Sequence, residues 1–91
     1  MVCSCKQEVP APEPIANFYV DNAECLSSCY VKFYDQSYHA VKWKWEFGNS
    51  LTSEKQNDSC QYHDPGFYDV TLHVWNEDDV EDKITKQITV Y

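Results

Sequence analysis

The sequence predicts an all-β protein, an antiparallel β-sandwich of about seven strands. Apolar and polar residues alternate with a period of two in several segments, which is typical of strands with one buried face. Turn-forming residues separate these segments, as in Asp64-Pro65-Gly66. No segment shows the sustained period of an amphipathic helix. Short alternating strands joined by such turns favour two sheets packed face to face.

The first half of the domain supplies three predicted strands, in "ANFYV", "CYVKFYD" and "AVKWKWEFGNS". Their alternation predicts which side chains face the core. The inward residues are Phe18 and Val20 in the first, Cys29, Val31 and Phe33 in the second, and Val41, Trp43, Trp45 and Phe47 in the third. Lys42, Lys44 and Glu46 are expected to meet solvent.

The second half begins with a short strand, "SCQYH", and continues with "GFYDVTLHVWN" and the C-terminal "ITKQITV". The expected inward residues are Tyr68, Val70, Leu72 and Val74, then Ile84, Ile88 and Val90. Lys86 also falls in the inward phase of the last strand. A charge in that position predicts either a β-bulge or an edge position.

Length and charge limit the organisation and the partners. A chain of 91 residues forms one small domain. Residues 6–14, "KQEVPAPEP", contain three prolines and predict an extended linker, so we divide the chain into a tail and linker (1–14) and a β-domain (15–91). The net charge of −8 and the lack of arginine argue against nucleic acid and against anionic membrane surfaces as partners. No cofactor is expected.

Three blocks of the domain resemble the PKD (polycystic kidney disease) family, whose pattern is roughly W-D-F-G-D-G, Ser/Thr-Glu and then H-x-Y-x-x-P-G-x-Y-x-V-x-L-x-V-x-N. The similarity spans about residues 16–91. Glu46, Asn49 and Ser50 depart from the first block, so the turn after Phe47 is expected to differ. Cys60 stands where the third block often has His. The residues that carry the resemblance are Trp45, Phe47, Gly48, Ser53, Glu54, Tyr62, Pro65, Gly66, Tyr68, Val70, Leu72, Val74 and Asn76.

The resemblance implies an immunoglobulin-like β-sandwich that serves as a non-catalytic extracellular module. Such domains bind proteins or carbohydrates, or space other domains apart. Trp43 and Trp45 are expected in the core. Tyr68, directly after Pro65-Gly66, resembles a tyrosine corner, in which the hydroxyl bonds an upstream backbone group.

Five cysteines leave an odd thiol. Cys25 and Cys29 flank the turn expected between the first two strands and are predicted to form a disulfide, worth about 2 kcal/mol for so short a loop. Cys60 is then free and buried. One alternative leaves all three as packed thiols. Another joins them with a histidine in a zinc site, although strand alternation scatters these residues.

The segment "VCSC" at positions 2–5 resembles the end of a bacterial lipoprotein signal, with Cys5 as the acylated residue. The tail that follows would be the spacer between lipid and domain. This resemblance implies an extracytoplasmic location, at the cell surface or outer membrane, with a lipid anchor as the membrane contact. The alternative is an arbitrary start with two unrelated cysteines.

Outward aromatic residues are the best binding candidates, because exposed rings stack on sugars or anchor protein contacts. Cross-strand aromatic pairs also stabilise sheets without binding anything. On one sheet we expect Lys32 and His63 between three tyrosines, and on the other Trp75 with His73 near Lys42 and Lys44. The candidate ligand-binding residues are Tyr19, Tyr30, Lys32, Tyr34, His63 and Trp75.

The sequence does not indicate catalysis. His39, His63 and His73 lie on separate strands or loops, and no Ser-His-Asp spacing or nucleophile elbow is present. The acidic turn with Glu77, Asp78, Asp79 and Glu81 could offer oxygen ligands to calcium, but its spacing matches no EF-hand loop, and charged turn residues are usually solvated.

Two functions remain open. One is a monomeric surface module that recognises or spaces a protein or glycan at the cell surface. The other is a dedicated carbohydrate-binding module of a polysaccharide-degrading system.

Overall fold

The structure, a computed structural model, describes residues 10–26 and 29–91, and of Cys29 the backbone alone. Its eight strands are β1 (Phe18–Asp21), β2 (Glu24–Cys25), β3 (Cys29–Asp35), β4 (Lys42–Glu46), β5 (Thr52–Ser53), β6 (Asp58–Tyr62), β7 (Gly66–Trp75) and β8 (Glu81–Val90). In the part of the chain described, no helix has the length and hydropathy that crossing a bilayer requires.

The strands form two sheets, which confirms the predicted β-sandwich. One sheet has the order β1-β3-β6, and the other has the order β2-β8-β7-β4-β5. Every pairing is antiparallel except the two-residue pairing of β2 with β8. The sequence analysis missed β2 and β5, because two residues are too few to show an alternating pattern.

The core lies between the sheets and follows the predicted alternation. The ring of Trp45 is fully buried, with its centroid 5.0 Å from that of Phe18 and 5.5 Å from that of Phe33. The buried side chains that the sequence analysis placed inward are Phe18, Val31, Phe33, Trp45, Phe47, Val70, Leu72, Val74, Ile88 and Val90. Val20, Trp43, Tyr68 and Ile84 are partly buried against them.

The start of the third predicted strand is the main correction. Val41, expected inward, is 46% exposed. The strand β4 begins only at Lys42, so Val41 lies in the preceding loop, where alternation no longer applies. Trp43 is only partly buried, and Lys44 is partly buried although it was expected to meet solvent.

The register shows that Lys86 needs no bulge. The pairing of β7 with β8 is unbroken through Val70 and Lys86, whereas β2 pairs with β8 only at Thr89 and Val90. Lys86 therefore lies where the outer side of β8 is open. Its Nζ donates a hydrogen bond to the carbonyl of Phe18 at 2.6 Å and lies 5.0 Å from the centre of that ring. The inward charge is satisfied by the facing sheet.

Two tyrosines fasten loops to the sandwich. The hydroxyl of buried Tyr62 donates to the carbonyl of Phe47 at 2.7 Å. Burial raises the pKa of Tyr62, so this donor keeps its proton at neutral pH. The hydroxyl of Tyr68 donates to the carbonyl of Asp64 at 2.6 Å, four residues upstream. This bond has the form of the predicted tyrosine corner.

The turn after Phe47 depends on backbone conformations with positive φ. Gly48 has φ +84°, and a Cβ there would lie 2.7 Å from the carbonyl oxygen of Asp69. Ser50, where the PKD pattern has glycine, has φ 74°. A side-chain oxygen of Asn49 accepts the N–H of Leu51 at 3.2 Å. The departures from the family pattern therefore leave a turn that still needs one glycine.

Burial predicts a ranking of the two tryptophans of β4. Trp45→Ala should lower the free energy of unfolding by about 3–5 kcal/mol, and Trp43→Ala by roughly half as much, since only part of its ring is buried. Urea denaturation measures both, with Trp45→Phe as a second variant if Trp45→Ala does not fold. Equal losses, or a larger loss for Trp43→Ala, would contradict this description of the core.

Two substitutions in this turn should affect the free energy of unfolding differently. Gly48→Ala should lower the free energy of unfolding by about 2 kcal/mol or more, because a left-handed conformation costs roughly 1–2 kcal/mol with a Cβ and the Cβ also meets Asp69. Ser50→Gly should leave the free energy of unfolding unchanged or raise it, since glycine adopts the left-handed conformation of this position without strain. Thermal unfolding of both variants tests this, and a stable Gly48→Ala would show that the turn does not need glycine.

Candidate functional site

Four of the predicted ligand-binding residues share the outer surface of the three-stranded sheet, here called the tyrosine face: Tyr19, Tyr30, Lys32 and Tyr34. Tyr19 lies opposite Tyr34 in the register, and their rings stack with centroids 6.1 Å apart and planes at 29°. Along β3 the row from Tyr34 through Lys32 to Tyr30 extends about 13 Å. Tyr34, Tyr19 and Tyr30 are 40%, 52% and 63% exposed, so a ligand can reach all three rings.

A shallow groove of 230 Å³ runs beside Tyr34 and Lys32, and Asn57, Asp58 and Ser59 line its other side. A hydrogen bond from the Ser53 side chain and one from the Ser59 N–H lower the pKa of Asp58, so its carboxylate is charged at neutral pH. The groove is smaller than the roughly 300–1,000 Å³ of sites that enclose small molecules. It suits one part of a larger ligand that lies across the face.

The other two predicted residues do not belong to this face. His63 is exposed beyond the end of β6 and borders a separate cleft of 570 Å³ that Asn49, Cys60 and Tyr68 also line. Trp75 lies on β7, in the five-stranded sheet. The structure therefore divides the six candidates among three places, and only the tyrosine face combines several of them.

Around Trp75, charged and aromatic side chains form a network on the outer surface of the five-stranded sheet. The ring of His73 stacks on that of Trp75, with centroids 6.1 Å apart and planes at 19°. His73 Nδ1 lies 2.6 Å from Glu81 Oε2, and its Nε2 lies 3.3 Å from Glu46 Oε1. Lys42 Nζ lies 5.9 Å from the centre of the Trp75 ring. These contacts hold Trp75 in a defined position.

Among the residues that the structure describes, Cys60 is a free cysteine, and it is buried. Burial raises the pKa of its thiol, which an Asn49 hydrogen bond partly offsets; Asn49 Nδ2 lies 3.3 Å from Sγ. The thiol is therefore neutral at physiological pH and is a poor nucleophile or metal ligand. The prediction of a free, buried Cys60 is therefore confirmed. In the register Cys60 lies opposite Val31, two positions from the partner of Cys29.

Two cysteine predictions reach beyond what the structure describes. Cys25 is buried and is not free, and it lies on β2 instead of in a turn. The side chain of Cys29 is outside the described residues, so the Cys25–Cys29 disulfide stays a prediction. The predicted acylation site, Cys5, also lies outside them.

The acidic turn does not bring its carboxylates together. Asp79 Oδ1 pairs with Lys42 Nζ at 2.9 Å, and Glu81 pairs with His73. Asp78 Oδ2 accepts the backbone N–H of Ala11 at 2.9 Å. Within the described ranges, no three His, Cys, Asp or Glu residues are grouped as a metal site. The weak calcium candidate of Glu77, Asp78, Asp79 and Glu81 thus has no common centre, because three of its members have separate partners.

The end of the proline-rich segment is fastened to the same turn. Asn76 Nδ2 donates to the carbonyl of Pro12 at 2.8 Å, Asp82 Oδ2 accepts the N–H of Ala16 at 2.8 Å, and Pro14 is buried. Residues 10–14 contain no helix or strand and contact the domain. The boundary between residues 14 and 15 stays a prediction.

Sequence reasoning missed the residues that complete the two surfaces. Asn57, Asp58 and Ser59 border the groove of the tyrosine face, and Glu54 lies in a cleft with Trp75. All four come from the loop and strand after β5, a polar stretch with no hydrophobic pattern. A turn signal at Asn57-Asp58 marked a loop there, but alternation cannot show which strands a loop approaches.

Comparisons with known proteins agree with this architecture. A solved PKD1 domain of Vibrio anguillarum Epp is 25% identical and covers 89% of this chain and 96% of its own, with a TM-score of 0.76. The PKD1 domain from the Vibrio cholerae metalloprotease PrtV is 26% identical and covers 87% and 98%, with a TM-score of 0.74. A structure reported for promiscuous carbohydrate-binding modules of the β-sandwich superfamily is 21% identical, with a TM-score of 0.80 over 90% of this chain and 36% of its own; this likeness concerns the fold alone.

No curated protein sequence matches the chain significantly. The family model of the PKD domain matches residues 11–90, which include the last four residues of the proline-rich segment and the eight described strands. The chain therefore belongs to the PKD domain family.

Proposed function

We propose that this protein is a non-catalytic extracellular PKD module that recognises a protein or glycan through the tyrosine face. The observation that carries the proposal is the exposed row of Tyr34, Lys32 and Tyr30 along β3, with Tyr19 of β1 stacked on Tyr34 and a groove beside the row at Ser59. Tyrosine rings provide a large contact area, and ordering them on binding costs little conformational entropy. The length of the row favours an extended ligand over a compact one.

The lack of a catalytic role is supported by how the reactive groups are used. His73 lies between two carboxylates, Glu46 and Glu81, and the Cys60 thiol is buried and neutral. Neither forms the nucleophile–base arrangement of hydrolytic sites.

A dedicated carbohydrate-binding module is the second candidate. The fold is similar to that of a structure described for carbohydrate-binding modules, and exposed tyrosines suit the flat faces of sugar rings. Binding to immobilised glycans, compared with capture of surface proteins, separates this candidate from protein recognition.

The location is proposed to be extracytoplasmic, with the module tethered through acylated Cys5. The PKD resemblance and the lipoprotein-like "VCSC" segment support this. Incorporation of labelled palmitate into the protein in its native cells, lost in Cys5→Ser, tests the tether. Equal labelling of the variant would refute acylation at this position.

The disulfide prediction fits an oxidising location. Cys25 lies on the five-stranded sheet and Cys29 begins β3 of the other sheet, so a bond between them would join the two sheets. Without reductant, neither Cys25 nor Cys29 should react with an alkylating agent, and Cys60 should react only after unfolding because it is buried. Mass spectrometry of the peptides measures this, and alkylation of Cys25 and Cys29 in native protein would refute the bond.

The tyrosine face is tested by Tyr34→Ala and Tyr30→Ala. Each should weaken binding to a ligand found on a glycan array or a surface-protein array by about tenfold, since truncating an aromatic anchor of a recognition surface costs more than about 1 kcal/mol. Both positions are exposed, so the free energy of unfolding should change little. Calorimetric titration and urea denaturation measure the two effects.

Phe67→Ala is the matched control, because Phe67 is 71% exposed on the other sheet. It should leave binding unchanged. If Phe67→Ala weakens binding as much as Tyr34→Ala, the tyrosine face is not the recognition surface.

A further inference from the structure

A second cleft, of 420 Å³, lies on the other side of the molecule, at the margin of the five-stranded sheet. It is lined by two tryptophans, Trp43 and Trp75, together with Val41, Lys42, Lys44 and Glu54. The volume falls within the roughly 300–1,000 Å³ range of small-ligand sites. Unlike the groove of the tyrosine face, this cleft is large enough for a ligand of its own.

The cleft exists because β5 is short. β5 pairs with β4 only at Trp45 and Glu46, so the segment from Lys42 to Lys44 has no neighbour on that side among the described strands. The chain leaves β5 at Glu54, which also lines the cleft. Residues whose side chains lie on opposite faces of β4 can therefore line the same cleft.

Two of the lining side chains have contacts that restrain them before any ligand arrives. Trp75 is stacked on His73, and Lys42 is paired with Asp79. Trp43 packs against the core, and Lys44 is partly buried. Because Trp75 and Lys42 already have partners, a ligand would lose little affinity to ordering these two side chains.

We propose that this cleft binds a sugar unit, in a site separate from the tyrosine face. Lys44 offers hydrogen-bond donors and Glu54 offers acceptors. A hydroxyl both donates and accepts, so a polyhydroxylated ligand can satisfy both walls at once. The indole rings supply flat apolar surface for the C–H groups of a sugar ring.

The indole N–H of Trp43 adds a further reason. It is closed to solvent and has no acceptor in the part of the chain described, and an unpaired buried donor is destabilising. A hydroxyl oxygen that enters beside this ring would provide the acceptor after a small rotation of the indole.

Two other ligand classes fit less well. An anionic ligand would be attracted by Lys44, but Lys42 is already paired with Asp79, and the ligand would also meet the carboxylate of Glu54 and the net charge of −8. An added peptide strand would find only the short segment from Lys42 to Lys44 open, and lysines on a strand edge disfavour strand addition. Both classes serve as comparisons in the test.

The test is an NMR titration of the full chain with glucose, galactose, mannose, N-acetylglucosamine and cellobiose, with glucuronate and an acidic peptide as comparisons. At least one neutral sugar should give saturable shifts of the indole N–H signals of Trp43 and Trp75. Lys44→Met and Glu54→Gln should each weaken that sugar's binding about tenfold, as expected for loss of a hydrogen bond to a charged group.

Lys83→Met is the control, because it removes a lysine from the same sheet outside the cleft; it should leave the affinity unchanged. Tyr34→Ala should also leave these indole shifts unchanged, so the two binding proposals can fail independently. Absence of saturable indole shifts with every neutral sugar, or saturation by glucuronate or the peptide alone, would overturn the proposal.

Discussion

The hydrogen bond from the Trp45 indole to the loop after β5 is the contact on which both candidate surfaces depend. The ring is wedged between the sheets, against Phe18 and Phe33, and its Nε1 donates to the carbonyl of Lys55 at 2.9 Å. This bond fixes the loop that carries Glu54 to the second cleft and Asn57 to the groove of the tyrosine face. A buried indole therefore serves recognition indirectly, by fixing a polar loop together with the bonds that Gln56 and Asn57 of the loop make to Asp35.

Charged side chains of β8 bond the backbone at the start of the chain's first strand, along the part of β8 that no described strand pairs with on its outer side. Lys86 and Asp82 both lie in the inward phase of β8. Asp82 accepts the N–H of Ala16, just before β1, and Lys86 donates to the carbonyl of Phe18, the first residue of β1. A charge in an inward position is destabilising unless it is paired or hydrogen-bonded, and here the backbone supplies the partners. Asn76 and Asp78 hold the backbone of Pro12 and Ala11, so residues 10–14 lie against the domain.

Core residues could be predicted from the sequence where apolar and polar residues alternate along a strand. Phe18, Trp45 and Leu72 could be assigned to the core because strands that face a core on one side alternate. The position of Val41 could not, since it depends on where β4 begins, and strand ends carry no periodic signal. The separation of His63 from the tyrosines, and the approach of Glu54 to Trp75, depend on loop paths that only tertiary contacts determine. Sequence reasoning therefore found most of one surface and the approach of Lys42 and Lys44 to Trp75 in the cleft, but it missed Glu54.

Both proposed binding regions require a loop that stays in place while the rest of the domain is folded. Hydrogen exchange of the Trp45 indole proton, followed by NMR, measures this directly, because the proton is released only when its bond to Lys55 opens. The free energy of exchange should equal the free energy of global unfolding from urea denaturation of the same protein. Exchange at a much lower free energy would show that the loop opens on its own, and would contradict the role assigned to Trp45.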